Sequence, residues 1–426
     1  MNRAVAELYA PDIITLATKP DTPRIPFKHE VFEEAVEWLH KEGRYSADML
    51  ADPHAHRLIE ETFNALDGAI GASITQEMPE EMTYALRNNA FIFSGFKTHR
   101  TLSEVGLELT DEEGNLKPYA KFLEDVKRID SKYNDTYLYA EYNHAVHTTQ
   151  MAVKWQDFVR DGDEYNLQYR TAGDERVREA HIALDGVTLP PSDKFWDRYL
   201  PPNGWNCRCT VVQVLREDFP LSDSEEAIKR GDENTQSIKQ QMFRFNPGKT
   251  LEVFPPKHPY LPKGCGSCPR RSSLKLANST DGALSMCLAC EEIGKLAVTD
   301  GRKRAEEYMP IQANKVLRDN LETGSLHQAN KPRKRLLNHC HCADEIEAAI
   351  YFWNNPHLLG EQRISPLGEN KDMSDPKVQK NIARKKQRGV QDYIEYRATY
   401  RGARWIIKTE RHTAGFEQFY WLKKED

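Results

Sequence analysis

No apolar run in this chain approaches the ~20 residues that a membrane-spanning helix needs. The opening stretch, MNRAVAELYAPDIITLATKP, has no basic head followed by an apolar core of about 7–15 residues, so no secretory signal is expected. There is no strong excess of one charge: 59 Lys and Arg face 65 Asp and Glu, a formal net charge of −6. Cysteine is scarce. All eight occur in close pairs, at 207/209, 265/268, 287/290 and 340/342. In a chain expected to be cytosolic when made, such pairing reads as metal ligation before disulfides. Internal repeats are absent apart from the two CxxC pairs.

The sequence does have enough apolar material for cores, with 39% hydrophobic and 10% aromatic residues, which excludes wholesale disorder. At roughly 100–200 residues per domain, 426 residues imply two to four domains. Charge divides them unevenly. Residues 331–426 hold 19 Lys and Arg against 13 Asp and Glu, whereas residues 1–330 hold 40 against 52. An acidic body with a basic tail suggests surfaces for different partners.

Residues 1–29 read as a proline-rich extended arm. Val31, Phe32, Ala35, Val36 and Leu39 then recur at helical spacing. The stretch 55–95 reads as mostly helical up to Asn89, and Asp111 opens a polar turn. A helix follows with Leu116, Phe122, Leu123, Val126 and Ile129, then a longer one from about Thr136 to Val159. After Asp161 the pattern changes. Tyr165–Ala172 alternates like a strand, Asp174–Leu184 reads as a charged helix, and Thr210–Leu215 is β-rich. The expected division is 1–84 (arm and helical region), 85–216, a linker at 217–263, a CxxC-containing helical segment at 264–330, and a C-terminal domain at 331–426. The fold class is multidomain α+β: a mainly helical N-terminal half with a small β-containing core, a zinc-knuckle middle, and a C-terminal helix plus antiparallel sheet.

Residues 170–209 read RTAGDERVREAHIALDGVTLPPSDKFWDRYLPPNGWNCRC. Pro190-Pro191 and Pro201-Pro202 fix backbone angles and remove donors, Gly186 and Gly204 permit tight turns, and Trp196 and Trp205 can fill a small core. His181, Cys207 and Cys209 could meet as soft ligands, a second metal site. Three ligands are one short of a closed structural site, however, and buried small cysteines with a locally bonded histidine are the alternative. The segment resembles the head-morphogenesis family of tailed phages typified by phage Mu protein F. The resemblance rests on Arg170, Ala172, Asp174, Arg176, Val177, Arg178, His181, Leu184, Gly186, Phe195, Trp196 and the closing Pro201, Pro202, Gly204, Trp205, Cys207, Arg208 and Cys209. With the helices before it, it covers residues 85–216, under a third of the chain. It implies a minor head protein in the virion, at the portal or capsid interior, whose partners are portal, capsid or scaffold proteins, with phage DNA as a further contact and host cytoplasm as the place of assembly; the short apolar runs imply no membrane partner.

Cys265-x2-Cys268 and Cys287-x2-Cys290 stand eighteen residues apart, inside the spacing of four-thiolate zinc sites. Zinc takes four ligands in a tetrahedron, and four thiolates leave no open position, so a structural zinc is expected there. Gly264 and Gly266 flank the first cysteine as a tight turn requires, and Cys290 leads into a helical EEIGKLA. Disulfides or unligated thiols are the alternative.

The last segment reads as a helix near 343–353, a loop with a basic cluster at 380–388, and strands at Asp392–Tyr400, Trp405–Glu410 and Phe416–Leu422. Metal-independent RNA cleavage needs a proton acceptor, a proton donor and cations for the charged transition state. His412 or Glu410 could move the protons, and Lys408, Arg411 and Arg397 could hold phosphate, with Tyr420 nearby; alternation places Lys408 and Glu410 on one face. The layout weakly resembles the barnase/EndoU/colicin/RelE-like nuclease superfamily, which implies an RNA substrate and a toxin-like effector module. A solvated sheet face without catalytic activity is the plainer reading. His339-Cys340-His341-Cys342 stays unassigned, since four adjacent residues wrap one ion poorly. Three functions follow for test: a head protein carrying an RNase module, a purely structural head protein, and a zinc-dependent nucleic-acid-binding protein.

Overall fold

The computed structural model describes residues 8–9, 25–75, 77–162, 164–262, 284–317, 319 and 321–425. The chain divides into two compact units. One contains Met1–Met78, Ala85–Arg271 and Leu276–Ile293; the other contains Pro79–Tyr84, Ser272–Lys275 and Gly294–Asp426. Among the described residues, no helix is long and apolar enough to cross a membrane.

The first unit is built on helices. Helix α1 (His29–Glu42) buries the expected stripe, Val31, Phe32, Ala35, Val36 and Leu39, and stops at Gly43, whose φ of 66° suits a residue without Cβ. Helix α2 (Pro53–Gly71) starts on Asp52, whose side chain accepts from the His54 amide, with Pro53 at the first helical position. Helix α3 (Glu80–Leu107) runs past the expected end at Asn89. Helix α4 (Tyr119–Asp130) continues through a π-helical stretch, Ser131–Tyr137, into α5 (Leu138–Arg160). Leu116, placed in that helix by its spacing, lies before it and is exposed, because Asp111–Asn115 closes a turn and Thr110 bridges to Leu116.

A three-stranded antiparallel sheet, in the order β2-β1-β3, follows. It comprises β1 (Tyr165–Arg170), β2 (Thr188–Leu189) and β3 (Thr210–Leu215). The charged helix expected over 174–184 shrinks to α6 (Glu179–Ile182): Gly173 adopts φ of 71° and Asp174–Val177 forms a turn. A short helix α7 (Trp196–Tyr199) and α8 (Ser224–Asn234) come next, then α9 (Ile238–Gln241) and α10 (Pro247–Thr250). The stretch read as a linker, 217–263, buries Met242, Phe243, Phe245, Val253, Phe254 and Tyr260. These side chains give it a core role in the first unit, since burying each contributes about 1.5–3 kcal/mol relative to exposure.

Helix α11 (Leu284–Ala305) carries Cys287 and Cys290 inside it, so the helix begins before the second CxxC and not after it. In the second unit, a six-stranded sheet has the order β4-β5-β9-β8-β7-β6. Its strands are β4 (Gln312–Leu317), β5 (Ser325–Gln328), β6 (Gly360–Ser365), β7 (Val390–Tyr400), β8 (Ala403–His412) and β9 (Phe416–Lys424). Among the described residues, the β5–β9 pair alone is parallel in this sheet. The three closing strands match expectation, whereas β4 and β5 join from residues assigned by sequence to the CxxC segment. Helix α12 (Asn330–Asn338) takes in the basic run 331–335, and α14 (Pro376–Gln387) takes in most of the basic cluster expected in a loop. Helix α13 (Ala343–Asn354) supplies Ile346, Ile350, Phe352 and Trp353 to one sheet face, where they meet Ile394, Tyr396, Ile407 and Phe419. Period-2 alternation sends Tyr393, Glu395, Lys408 and Glu410 to the other face, through the pairs Tyr393↔Glu410 and Glu395↔Lys408.

Candidate functional sites

Two places concentrate chemistry, one in each unit. In the first unit, the antiparallel register Arg170↔Thr210 and Tyr169↔Val211 brings the end of β1 beside the entry of β3. Across this junction Asp174 receives two hydrogen bonds from the Arg208 guanidinium, at 2.6 Å each. That guanidinium holds the Asp174 carboxyl down at about 2. Arg178 donates to the Trp205 carbonyl at 2.8 Å, tying α6 to the Gly204–Cys207 turn. Gly204 lets the turn come close to Arg178: a Cβ would stand 3.3 Å from its guanidinium, a tight but adjustable contact. Trp196 is buried and donates to the Pro190 carbonyl, while Trp205 packs against Tyr9, His144 and Phe243. The two tryptophans expected to share a small core therefore enter different parts of it.

His181, Cys207 and Cys209 converge at this junction. His181 and Cys207 are buried, at 4% and 3% exposure, and Cys209 is half-buried. The His181 Nδ1 lies 3.6 Å from the Cys207 Sγ and 3.4 Å from the Cys209 Sγ. All three ligand atoms fall within 4.8 Å of one another, the one such His/Cys/Asp/Glu group among the described residues. Hydrogen bonding with Cys209, and then with His181, holds the Cys207 thiol well below its ordinary range, while hydrogen bonding with Cys207 and burial raise the Cys209 thiol. The cluster can hold a metal ion.

Of the CxxC ligands, Cys265 and Cys268 lie outside the described residues. Cys287 is half-buried and Cys290 buried on α11. Three residues apart on a helix, they share one face.

In the second unit, a cavity of about 570 Å³ opens on the sheet face away from the α13 core. Its wall includes Lys408 and Tyr420, two of the residues expected to be catalytic, together with His339, His341, Lys385, Tyr393, Glu395 and Trp421. Lys385 sits over the rings of Tyr420 and Tyr393, 4.1 and 4.5 Å from their centroids, and Lys408 pairs with Glu395 at 2.7 Å. Burial, with the neighbouring His341 and the cations Arg335 and Lys385, keeps His339 below the ordinary histidine range, hence neutral near pH 7.

The other expected catalytic residues lie elsewhere. Glu410 is fully buried and pairs with Arg335, Lys385 and Arg388. Burial would raise its carboxyl, but the cations outweigh burial and lower it, so Glu410 is a counter-ion that anchors three cations. Arg411 pairs with Asp392 and Arg397 with Glu425, both off the cavity wall. His412 stacks on Phe416, also off the wall, and its Nε2 has no hydrogen-bond partner. Sequence reasoning missed Lys385, Tyr393 and Glu395, and left His339 unassigned. The basic cluster at 380–388 was the available signal for Lys385. The His339–Cys342 run diverges as expected of adjacent residues: His339 and His341 face the cavity, while Cys340 is buried and bonds to the Leu336 carbonyl.

Comparison with known proteins finds similarity over the stretch that holds the first of these places. Residues 112–212 match the family model described as "Phage Mu protein F like protein". A protein F of Escherichia phage Mu, named for capsid assembly, is 26% identical over 166 residues, 38% of this chain and 35% of that protein. A Mu-like prophage FluMu F protein of Haemophilus influenzae is 41% identical over 65 residues, 15% of this chain and 16% of that protein. The chain thus spans about a third or less of the length of these relatives. No solved structure matches it significantly. Over residues 112–212, a stretch that includes His181, Cys207 and Cys209, this chain is similar to the Phage Mu protein F-like family.

Proposed function

We propose that this protein acts in the assembly of a phage head, as a minor component at the portal or in the capsid interior that contacts portal, capsid or scaffold proteins. The Mu F-like match over 112–212, together with the similarity to a phage Mu protein named for capsid assembly, carries this reading. The domain suits a docking role: Asp174–Arg208, Arg178–Trp205 and the buried Trp196 brace its loops, so a partner meets a preformed surface. The test is a phage or prophage from which the gene is deleted. Normal numbers of filled, infectious particles, with none of the protein found in ordinary ones, would refute it. Within the same reading, Cys265, Cys268, Cys287 and Cys290 hold a structural zinc.

A second reading is favoured by the cavity of the second unit: a metal-independent ribonuclease module. Lys385 and Lys408 supply positive charge at the cavity wall, Tyr420 and Tyr393 supply aromatic and hydroxyl groups, and neutral His339 is suited to accept the 2′-hydroxyl proton. His412 would act only from outside this wall. Incubating the full chain with RNA in chelator tests it. Cleavage lost in Lys408→Ala and His339→Ala is expected; an inert chain leaves a purely structural head protein. Salt-sensitive binding of nucleic acid without cleavage, lost with zinc, would instead favour a nucleic-acid-binding protein.

A further inference from the structure

We propose that His181, Cys207 and Cys209 bind one soft divalent cation of the zinc class through three protein ligands, with the fourth position left to solvent. Zinc bonds of about 2.3 Å to sulfur and about 2.0 Å to nitrogen, in a tetrahedron, put a nitrogen and a sulfur ligand roughly 3.5 Å apart. The two Nδ1–Sγ separations, 3.6 and 3.4 Å, bracket that value. A hydrogen bond has a competing claim on such distances. It would use one proton between the ring nitrogen and a single sulfur, however, whereas here one ring nitrogen faces both sulfurs almost equally.

The ligands are also set in place by independent parts of the fold. His181 rides on α6, which Arg178 ties to the Trp205 carbonyl. Cys207 is fixed by the turn in which its amide bonds to the Gly204 carbonyl. Cys209 is positioned by the β1–β3 register and by its neighbour Arg208, gripped by Asp174. A site assembled this way loses little conformational freedom on binding. Beside the three ligands lies a cavity of about 20 Å³, bounded also by Arg176, Arg178 and Asn206. That is room for about one water molecule, the usual fourth partner of a three-ligand zinc site. A fourth protein ligand is not required, which answers the shortfall that the sequence alone leaves. The ion would cross-link the helix, the turn and the strand that the family motif brings together, and being open on one side it would exchange with chelators.

The experiment counts metal in the full chain by mass spectrometry. Wild type is compared with C207S/C209S and, to separate the other cysteines, with C265S/C268S. The expected result is the loss of one equivalent of zinc in C207S/C209S, whatever the CxxC pairs retain. Metal content equal to wild type overturns the proposal. Because C207S/C209S could fail to fold, a second measurement uses the unmutated chain. Iodoacetamide should leave Cys209 unmodified in the zinc-loaded protein and alkylate it after chelation, with circular dichroism unchanged. Equal alkylation of half-exposed Cys209 with and without chelator shows a hydrogen-bonded thiol pair only, and overturns the site.

Discussion

Glu141 and Glu410 are both carboxylates without solvent contact, and each is held by cations. Glu141 pairs with buried Lys97 and accepts from the Tyr9 hydroxyl at 2.6 Å; Tyr9 in turn meets His258. Removing one partner of a buried ion pair leaves an uncompensated charge, which costs about 3–5 kcal/mol. Lys97→Met should therefore lower the stability of the first unit by that order, read as a reduced urea midpoint with an unchanged denaturant slope. The double substitution Lys97→Met with Glu141→Leu should recover most of the loss. Glu410 was legible in the sequence as one face-mate of Lys408. Its burial beneath Arg335, Lys385 and Arg388 was not, because those cations arrive from α12, α14 and the residue that follows α14, up to 75 residues away in the chain. Glu410→Gln should raise the reactivity and mobility of Lys385 without mimicking the loss of a catalytic base.

At the scale of elements, the helices with a clean apolar stripe were readable, and the short ones were not. Four residues of α10 carry no periodic signal; Asn246 caps the helix through its side chain, and Pro247 opens it. Its place is set by close approach to α5. A Cβ on Gly248 would stand 2.3 Å from the Trp155 Cβ, so the helix can pack there only because that residue has none. Gly248→Ala should destabilise the first unit by at least about 1–3 kcal/mol, detectable as a lower melting temperature, while Gly68→Ala, with open space around it, should not. At the start of α8, the Asp223 side chain accepts from the Glu226 amide. Asp223→Ala should cost about 1 kcal/mol in the same assay.

For the molecule as a whole, acidity is the condition that the first unit should tolerate least. Burial depresses His144 to about 3 and His99 to about 4, and it pushes His258 well down, with His144, Lys97 and Arg100 adding to the effect. Below pH 6.5 the unfolded chain takes up protons at these histidines and the folded chain does not. Stability therefore falls as pH drops through the window from about 6.5 towards 4, by up to about 1.4 kcal/mol per pH unit for each histidine. Urea titrations at pH 7 and pH 4.5 check it; an unchanged midpoint of the first unit would contradict the burial of these rings. The second unit has its own division of labour, one sheet face packed by α13 and the other left polar around the cavity.

By itself the sequence determined the helical stripes, the closing strands, the Mu F-like motif and the close spacing of the cysteines, because each is carried by local spacing or by a dense run of rigid residues. Only the tertiary structure decided which chemistry meets. It joined His181 to Cys207 and Cys209 across 26 and 28 residues through a strand register, and it separated His412 from Lys408 although both lie on one strand. Distances of that kind depend on how elements pack, and packing is fixed by the summed fit of many side chains that no single spacing records.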